Sequence, residues 1–268
     1  MSRQRDGEAT MLLVLDIGNT KTAIGVHRDD HWEADWRITT HLDYLTDEYA
    51  MLLKSLLADA DLVFEDVSGV ILSSVVPPLT AVFQDLAERH LGQKALVVGP
   101  GVETGVEIRI DHPAEAGGDR VANTAAVQGL YGGPAVVIDI GTATTFDVIS
   151  AKGEYLGGAI APGLGISAEA LVRRTSRLPK VELSPPESAI GSNTVTAMQS
   201  GLVFGYVGLV RELVARLKKE LGGKPKVIAT GGMAEMVSEW VPEIDIVNPR
   251  LTLEGLRIIY HLNRPAAP

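Results

Sequence analysis

The sequence of 268 residues contains no cysteine. Disulfide bonds, a thiolate nucleophile and a cysteine-ligated zinc site are therefore excluded, and a reducing compartment is compatible with the sequence. Basic residues are also few: 24 Lys and Arg stand against 34 Asp and Glu, giving a formal net charge of −10 and a pI near 5.1. Because nucleic acids and anionic membranes are bound by basic surfaces, we expect neither as a partner.

No segment of the sequence favours insertion into a membrane. Residues 1–10 are polar and lack the apolar core of a secretory signal, so we expect a disordered N-terminal extension. Residues 188–210 carry no charge over 23 positions, but Ser, Asn, Thr and Gln recur throughout their first half. A buried helix is the better interpretation of this segment than a membrane span.

What the sequence does contain is a repeated pattern in which a buried strand ends in Asp-Ile-Gly. Residues 11–26 read MLLVLDIGNTKTAIGV, and residues 136–149 read VVIDIGTATTFDVI. In both copies the chain turns through a glycine, Gly18 or Gly141, into a second strand. With 46% hydrophobic residues the chain can bury substantial cores. The duplication predicts two related halves, residues 11–133 and 134–268.

The repeated pattern suits the binding of an anion beside a cation. Backbone N–H groups and threonine hydroxyls at the tip of such a hairpin can converge on a polyphosphate. An acidic residue there, Asp16 or Asp139, would repel a bare phosphate and therefore makes sense beside a bound cation. The alternative is that each Asp-Ile-Gly is only a turn after a strand. Hydroxyl residues after both turns favour the phosphate-binding interpretation.

Each half is predicted to begin with three strands that form a meander, followed by helices and further strands. In the first half Thr46 is expected to cap the first helix. In the second half a long helix is expected from about Thr194 to Leu221. Between the halves, the pair Gly117-Gly118 interrupts the chain and Asp119 opens a helix, where it could be no more than an N-cap.

Several phrases, taken in order, carry a resemblance to a known family. The phrases are DIGNTKTAIG (16–25), SSVVPPLT (73–80), GGDR (117–120), DIGTATTFD (139–147), APG (161–163), IGSNT (190–194), TAMQSG (196–201) and ATGG (229–232). With them the sequence resembles the type III pantothenate kinases, which belong to the superfamily of sugar kinases, actin and heat-shock chaperone ATPases, from about Met11 to Leu262. The resemblance implies an α/β fold of two duplicated ribonuclease-H-like (actin-like ATPase) domains. Each would hold a mixed five-stranded sheet flanked by helices, with the active site in the cleft between them.

The activity that this resemblance implies is ATP-dependent phosphorylation of the primary hydroxyl of pantothenate, the first step of coenzyme A biosynthesis, in the cytoplasm. Asp119 would be the general base, Asp16 would lie near Mg²⁺, and Asp139 would bind a monovalent cation, K⁺ or NH₄⁺. The residues assigned to ATP and its phosphates are Asp16, Ile17, Gly18, Asn19, Thr20, Lys21, Thr22, Gly141, Thr142, Gly231 and Gly232. Those assigned to pantothenate are Ile110, Gly117, Gly118, Asp119, Arg120 and Thr194.

The resemblance also implies a homodimer in which Thr194 completes the pantothenate pocket of the neighbouring subunit. Small residues at near-helical spacing, Gly201, Gly205 and Gly208, would allow another helix to approach closely. The alternative is that this glycine face packs within its own subunit. The sequence departs from the usual family pattern at Gly118, where alanine is usual, and at Ile110, where tyrosine is usual.

Two other functions compete with pantothenate phosphorylation. A kinase of the same superfamily that acts on a sugar or another small acid would keep the hairpins and change the acceptor pocket. The GGDR segment argues against it. A regulatory protein that only binds a nucleotide or a partner could share the fold. The joint presence of Asp16, Asp119, Asp139 and Arg120 argues against that alternative.

Overall fold

The structure is a computed structural model that describes residues 11–264, so the expected extension at residues 1–10 lies outside the described residues. Contacts group the described chain into two compact units. Unit 1 comprises residues 11–105, 114–129 and 252–264, and unit 2 comprises residues 106–113 and 130–251. This grouping differs from a division after residue 133, because residues 106–113 join unit 2 and the last helix joins unit 1.

Ten strands and eight helices are used below under labels that follow the chain. The strands are β1 (Met11–Ile17), β2 (Lys21–Arg28), β3 (His31–Thr39), β4 (Val67–Ser74), β5 (Leu96–Val97), β6 (Ala135–Ile140), β7 (Ala143–Ile149), β8 (Tyr155–Pro162), β9 (Lys226–Thr230) and β10 (Ile246–Val247). The helices are α1 (Thr46–Asp59), α2 (Pro77–Leu91), α3 (Gly118–Leu130), α4 (Leu164–Arg174), α5 (Thr194–Gln199), α6 (Gly205–Leu221), α7 (Ala234–Ser238) and α8 (Leu251–Leu262).

The sheet of unit 1 has the strand order β3-β2-β1-β4-β5. β1 to β3 form the predicted antiparallel meander, and β4 runs parallel to β1. Leu13 and Leu15 belong to a cluster on one face together with Tyr49 of α1 and Phe83 of α2. The neighbouring residue Val14 is also fully buried, because helices cover both faces of the sheet.

The opposite face of this sheet is covered by α3 and α8. Gly69 of β4 leaves room for the ring of Tyr260 of α8, and Gly255 of α8 lies directly against the backbone carbonyl of Ala122 of α3. A side chain at either glycine would collide with these neighbours. The last helix therefore belongs to unit 1 by close packing, although unit 2 precedes it in the chain.

The sheet of unit 2 has the order β8-β7-β6-β9-β10, the same topology as that of unit 1. β6 is antiparallel to β7 and parallel to β9, as β1 is to β2 and β4. Val136 and Ile138 of β6 pack in a cluster with Tyr206 and Val210 of α6. The predicted α/β fold, two duplicated domains that each hold a mixed five-stranded sheet flanked by helices, is confirmed.

The predicted cap of α1 is wrong. The N-cap is Leu45, whose extended backbone places its N–H 2.8 Å from the carboxylate of Glu48. Thr46 is already within the helix, as its first residue. The acid three residues after the cap therefore satisfies the cap's own backbone, as in one half of a capping box.

The predicted helix from Thr194 to Leu221 is present as α5 and α6, which a π-helical turn at Ser200–Phe204 joins. This turn, which includes Gly201, accommodates one more residue than a regular α-helical turn would. Among the helices of residues 11–264, none combines the length and apolar character needed to cross a membrane.

Candidate active site

The first Asp-Ile-Gly segment forms a tight turn between β1 and β2. The N–H of Gly18 donates to the carbonyl of Lys21 at 3.0 Å. A Cβ at Gly18 would lie 2.9 Å from the same carbonyl oxygen, so the turn requires a glycine. Asn19, Thr20 and Lys21 are exposed at the tip. The turn thus presents one basic side chain and a short stretch of backbone to the solvent.

Two buried hydroxyl groups hold this turn on the side that faces the protein interior. Thr40 donates its hydroxyl to the carbonyl of Gly18 at 2.8 Å, and its Oγ1 lies 2.9 Å from the hydroxyl of Thr22. Thr22 is fully buried. Its hydroxyl therefore serves the shape of the turn, and the exposed part of the predicted phosphate-binding segment is the tip from Asn19 to Lys21.

Asp16 lies beside Ser73 at the end of the parallel pair formed by β1 and β4. The two residues are partners in the register, which is Asp16 with Ser73 and Leu15 with Leu72. Since Leu15 and Leu72 both belong to the cluster under α1 and α2, Asp16 and Ser73 both point to the opposite face. Ser73 is 0% exposed, and its hydroxyl has no hydrogen-bond partner among the described residues.

The helix α3 begins on that same face. The carbonyl of Gly117 accepts the N–H groups of Arg120 and Val121, each at 3.1 Å, which makes Gly117 the N-cap. Asp119 therefore lies within the first turn and is not the cap. One of its carboxylate oxygens, Oδ1, accepts the N–H of Arg120 at 3.0 Å.

The two glycines before Asp119 each make room for an oxygen atom. A side chain on Gly117 would collide with Oδ1 of Asp119, and a Cβ on Gly118 would lie 2.8 Å from Oγ of Ser73. Since Ser73 is the register partner of Asp16, unit 1 brings Asp16 and Asp119 to one edge of its sheet. This edge lies at the carboxyl ends of β1 and β4, where α/β sheets commonly bind ligands.

Unit 2 repeats the arrangement around Asp139. The register of β6 and β9 pairs Asp139 with Thr230, as that of β1 and β4 pairs Asp16 with Ser73. The next residue, Gly231, has a φ of +94°. A Cβ on Gly231 would lie 2.5 Å from Oδ1 of Asp139, so the backbone passes directly against that carboxylate.

The second Asp-Ile-Gly turn is one residue shorter than the first, since Ile140 pairs with Thr144 whereas Ile17 pairs with Thr22. The N–H of Gly141 donates to the carbonyl of Ala143 at 3.0 Å, and Thr142 is exposed at the tip. Thr144 is fully buried, and its hydroxyl lies 2.7 Å from that of Tyr206. Burial raises the pKa of Tyr206, and the negative charge of Asp139 raises it further. Tyr206 therefore stays a neutral hydrogen-bonding group near the carboxylate.

The remaining predicted substrate residues lie on two segments of unit 2. Ile110 follows a short extended stretch that pairs with Tyr155 at the start of β8, and its Cγ2 atom lies 3.2 Å from the position of a Cβ on Gly157. Thr194 is the exposed first residue of α5, after the N-cap Asn193. The other residues assigned to pantothenate, Gly117–Arg120, belong to unit 1, and all but Gly117 lie in the first turn of α3.

The protein groups that could bind a metal ion suit an ion whose remaining ligands come from ATP. Within residues 11–264, no three His, Asp or Glu side chains form a cluster that could hold a metal ion. Mg²⁺ characteristically binds one or two carboxylates together with substrate phosphates and water. A single carboxylate at Asp16, beside the exposed turn at Gly18–Lys21, fits that mode of binding.

Comparison with known proteins identifies the family. The sequence model of the family described as type III pantothenate kinase matches residues 12–216. A type III pantothenate kinase of Dehalococcoides mccartyi (strain CBDB1) is 50% identical over 253 residues, which cover 94% of this chain and 96% of the relative. One of Moorella thermoacetica is 49% identical over 94% of this chain and 100% of the relative. This chain belongs to the type III pantothenate kinase family.

Solved structures that resemble this family member share its fold at low sequence identity. A protein of Campylobacter jejuni, titled a Baf family transcriptional activator, has a TM-score of 0.59 at 19% identity and covers 94% of this chain and 98% of its own. The activator of 2-hydroxyisocaproyl-CoA dehydratase from Clostridium difficile, solved with bound ADPNP, has a TM-score of 0.52 at 12% identity, over 97% of this chain and 100% of its own. These likenesses concern the fold alone.

For this pantothenate kinase family member, sequence reasoning missed three hydroxyl residues that shape the site. Ser73 and Thr230 lie beside the two aspartates, and Thr40 holds the first turn. Ser73 and Thr230 had a signal in the sequence, since each is a polar residue at the end of a buried strand. Thr40 had none, because its role depends on the return of β3 to the turn.

Proposed function

We propose that this chain transfers the γ-phosphoryl group of ATP to the primary hydroxyl of pantothenate, which yields 4′-phosphopantothenate and ADP as the first step of coenzyme A biosynthesis. The observation that carries the proposal is the 50% identity to a type III pantothenate kinase over 94% of the chain. The geometry of unit 1 supports it, because an aspartate at the start of α3 lies at the sheet edge that also carries Asp16.

Asp119 is the proposed general base. A kinase needs a group that orients the acceptor hydroxyl and takes its proton as the bond to phosphorus forms and the bond to the ADP oxygen breaks. Asp119 is half-buried in the first turn of α3, and the absence of a side chain on Gly117 leaves room for its carboxylate oxygen Oδ1. Arg120, at the positive end of the same helix, is the proposed receptor for the carboxylate of pantothenate.

The two Asp-Ile-Gly turns are the proposed binding segments for the phosphates of ATP. Each tip exposes backbone together with a polar side chain, Thr20 in the first turn and Thr142 in the second. Lys21 adds a positive charge that suits a polyphosphate. Gly231-Gly232, which follows β9, is proposed for the adenosine side of the nucleotide.

The reaction uses ATP with a divalent metal ion, and we propose Mg²⁺ bound near Asp16. When bound, this ion neutralises charge on the phosphates. Asp139 is proposed as the ligand of a monovalent cation, K⁺ or NH₄⁺, since a second carboxylate near phosphates needs a compensating positive charge. The cytoplasm is the proposed location.

A homodimer is proposed as the active form. A Cβ on Gly201, Gly205 or Gly208 would meet no described atom within 4 Å, so this helix face is not packed within the described part of the subunit. Phe204 is also exposed on this face, which another copy of the chain would cover. Thr194, exposed at the start of the same helix, is proposed to reach the pantothenate pocket of the partner.

The test is direct detection of the product. The purified protein is incubated with ATP, Mg²⁺, K⁺ and pantothenate, and 4′-phosphopantothenate is measured by mass spectrometry. Glucose, N-acetylglucosamine and pantothenate without its carboxylate (pantothenyl alcohol) serve as competing acceptors under the same conditions. We expect turnover with pantothenate to exceed that with either sugar by at least about 100-fold. Faster phosphorylation of a sugar would instead support a sugar kinase. Nucleotide binding without any product would instead support a regulatory protein that only binds its ligand.

A further inference from the structure

We propose that the hydrogen bond between Tyr155 and Asp147 positions the segment that carries Ile110, and thereby sets the affinity for pantothenate. This role rests on the proposed kinase activity, in which Ile110 contacts pantothenate. Tyr155 and Asp147 lie on β8 and β7, in the same unit as Ile110. They are positioning residues, because they act on the substrate only through the segment that ends in Ile110.

The segment that ends in Ile110 is held by the backbone of Tyr155. The N–H of Tyr155 donates to the carbonyl of Glu107 at 2.9 Å, and its carbonyl accepts the N–H of Arg109 at 2.8 Å. Ile110 follows directly, and its Cγ2 atom lies 3.2 Å from the position of a Cβ on Gly157, two residues after Tyr155. The position of Ile110 therefore depends on that of Tyr155.

The sheet is irregular where β8 carries Tyr155. The register of β7 and β8 shifts between Asp147 and Ile149, and Tyr155 pairs with Ile149 beyond that shift. Gly157 has a φ of +97°, in the region that favours glycine. Such an irregularity disrupts the hydrogen-bond ladder locally. The start of β8 is therefore less firmly fixed by its ladder than a regular strand would be, and side-chain contacts matter more there.

The side chain of Tyr155 supplies such a contact. Its hydroxyl donates to Oδ1 of Asp147 at 3.2 Å. Tyr155 is 1% exposed and Asp147 is 0% exposed, so solvent does not compete for this bond. A buried carboxylate also depends on the donors around it, because a lost donor is not replaced by water. The bond therefore connects the start of β8 with β7 across the irregularity.

Asp147 lies on the face of the sheet that carries Asp139. Thr145 is the register partner of Asp139, and Asp147 lies two residues further along β7, so the three side chains share a face. The hydroxyl of Thr145 is 3.5 Å from Oδ2 of Asp147. Since β7 begins at the second Asp-Ile-Gly turn, Asp147 belongs to the strand that leads out of a proposed phosphate-binding segment. The bond to Tyr155 thus fixes the acceptor segment relative to that strand.

The alternative is that the buried pair only stabilises the fold, and the two roles predict different kinetics. Loss of a purely stabilising bond would lower the melting temperature and leave the KM values unchanged. Loss of a positioning bond should raise the KM for pantothenate alone. The KM for ATP should stay the same, because the second turn keeps its own bond from the N–H of Gly141 to the carbonyl of Ala143.

Tyr155→Phe tests the role directly, since it keeps the ring and removes the hydroxyl. The KM for pantothenate should rise by about fivefold, the scale of one hydrogen bond, while kcat and the KM for ATP stay within about twofold. Asp147→Ala should have a similar effect, and the double variant should be no worse than either single variant, because all three lack the same bond. Asp147→Asn should have a smaller effect, since its amide oxygen still accepts the hydroxyl.

Hydrogen exchange gives a second readout that does not depend on activity. In Tyr155→Phe, amides in peptides that cover residues 106–113 should exchange faster than in the wild type. Tyr131→Phe is the matched control, because it removes a tyrosine hydroxyl of the same unit whose partner, at 2.9 Å, is Asn248. It should change neither the exchange of that segment nor the KM for pantothenate.

Thermal unfolding checks that each variant folds, and Tyr155→Phe with Asp147→Asn suffices if Asp147→Ala does not. An unchanged KM for pantothenate in Tyr155→Phe, an equal rise in the KM for ATP, or unchanged exchange of residues 106–113 would each overturn the positioning role. A wild-type protein that does not phosphorylate pantothenate would instead overturn the proposed function, which separates the two failures.

Discussion

Gly231 lies so close to Asp139 that a Cβ on it would stand 2.5 Å from Oδ1 of that carboxylate. The same Cβ would lie 2.6 Å from the backbone nitrogen of Ile140. Asp139 and the turn after β6 are therefore held in place by a neighbour that has no side chain. This contact brings Asp139, proposed to bind a cation, directly against Gly231, proposed to bind the nucleotide, within unit 2.

We expect Gly231→Ala to lower kcat/KM for ATP by at least about 10-fold. The new methyl group must displace either Asp139 or the backbone of Ile140. Gly92→Ala is the control, because Gly92 also has a positive φ, +63°, but a Cβ on it would meet no atom within 4 Å. Both variants bear the backbone strain of an alanine at positive φ, about 1–2 kcal/mol. Equal activities for the two variants would show that the contact with Asp139 does not matter.

Asp119→Asn should lower kcat with pantothenate by about 10² to 10⁴-fold, the usual contribution of a general base. Folding and nucleotide binding should be almost unchanged, because Gly117 caps α3 and Asp119 does not. Glu115→Gln, which neutralises an exposed carboxylate four residues earlier, is the control and should remain active. An Asp119→Asn enzyme that keeps more than about a third of wild-type turnover would remove the base assignment.

Activity should require a monovalent cation and should be much higher in K⁺ or NH₄⁺ than in Na⁺. The reason is the position of Asp139 in the second Asp-Ile-Gly segment, where a negative group near phosphates needs compensation. Initial rates are measured with saturating Mg²⁺ at constant ionic strength, with choline as the inert cation. Equal rates in K⁺, Na⁺ and choline would leave Asp139 without this role.

Gly205→Leu should convert the proposed dimer into a folded monomer with little activity. The leucine would project from a face that meets no described atom within 4 Å and that we propose to be covered by the partner. Sedimentation velocity at micromolar concentration measures the oligomeric state. Ala215→Leu is the control, since Ala215 is exposed further along α6, among the charged residues Arg211 and Arg216. A wild-type monomer with full turnover would disprove the shared site.

Stability should decrease as the pH falls below about 6.5, because the pKa of the buried His27 of unit 1 is lowered in the folded state. His27 is 4% exposed and lies edge-on to the ring of Trp32. Burial lowers the pKa of His27, the charge of Arg257 lowers it further, and Glu254 opposes these effects. The unfolded chain therefore takes up protons first, from its ordinary value of 6.5 downwards.

Urea unfolding between pH 5 and 8 measures this effect. The free energy of unfolding should be highest above about pH 6.5 and should fall as the pH approaches the lowered pKa of His27 in the folded state. His27→Phe, which keeps an aromatic ring beside Trp32, should flatten the slope. His112→Phe, in an exposed segment, should leave the slope unchanged. A wild-type stability that is constant from pH 7 to 5 would contradict the prediction.

The elements that carry a local signal were predictable from the sequence. The strands before Asp16 and Asp139 are continuous apolar runs, and the glycine after each marks its turn, so the duplicated sheets could be inferred. The cap of α1 could not be, because Leu45 has no side-chain acceptor and its role depends on Glu48 reaching back to its N–H. N-cap preferences favour Thr46, but Leu45 occupies the N-cap position in the structure.

The candidate site was predictable as a set of residues but not as an arrangement. The segment around Asp119 was assigned by its resemblance to a family motif. That its first turn lies against Ser73 depends on the register of β1 and β4, which no local pattern of residues specifies. The affiliation of α8 with unit 1 depends likewise on contacts between residues more than a hundred positions apart, such as that of Gly255 with Ala122.

The position of α8 affects how the chain can fold during its synthesis. Leu12, Val14 and Ile71 are fully or almost fully buried on the sheet face that α3 and α8 cover, yet α8 follows all of the strands of unit 2 in the chain and is therefore synthesised after them. Until then the first sheet has one apolar face incompletely covered, while unit 2 already has all its strands. The first sheet is therefore completed only after the strands of unit 2 have been made, and a chain truncated before Leu251 would leave that face exposed to aggregation.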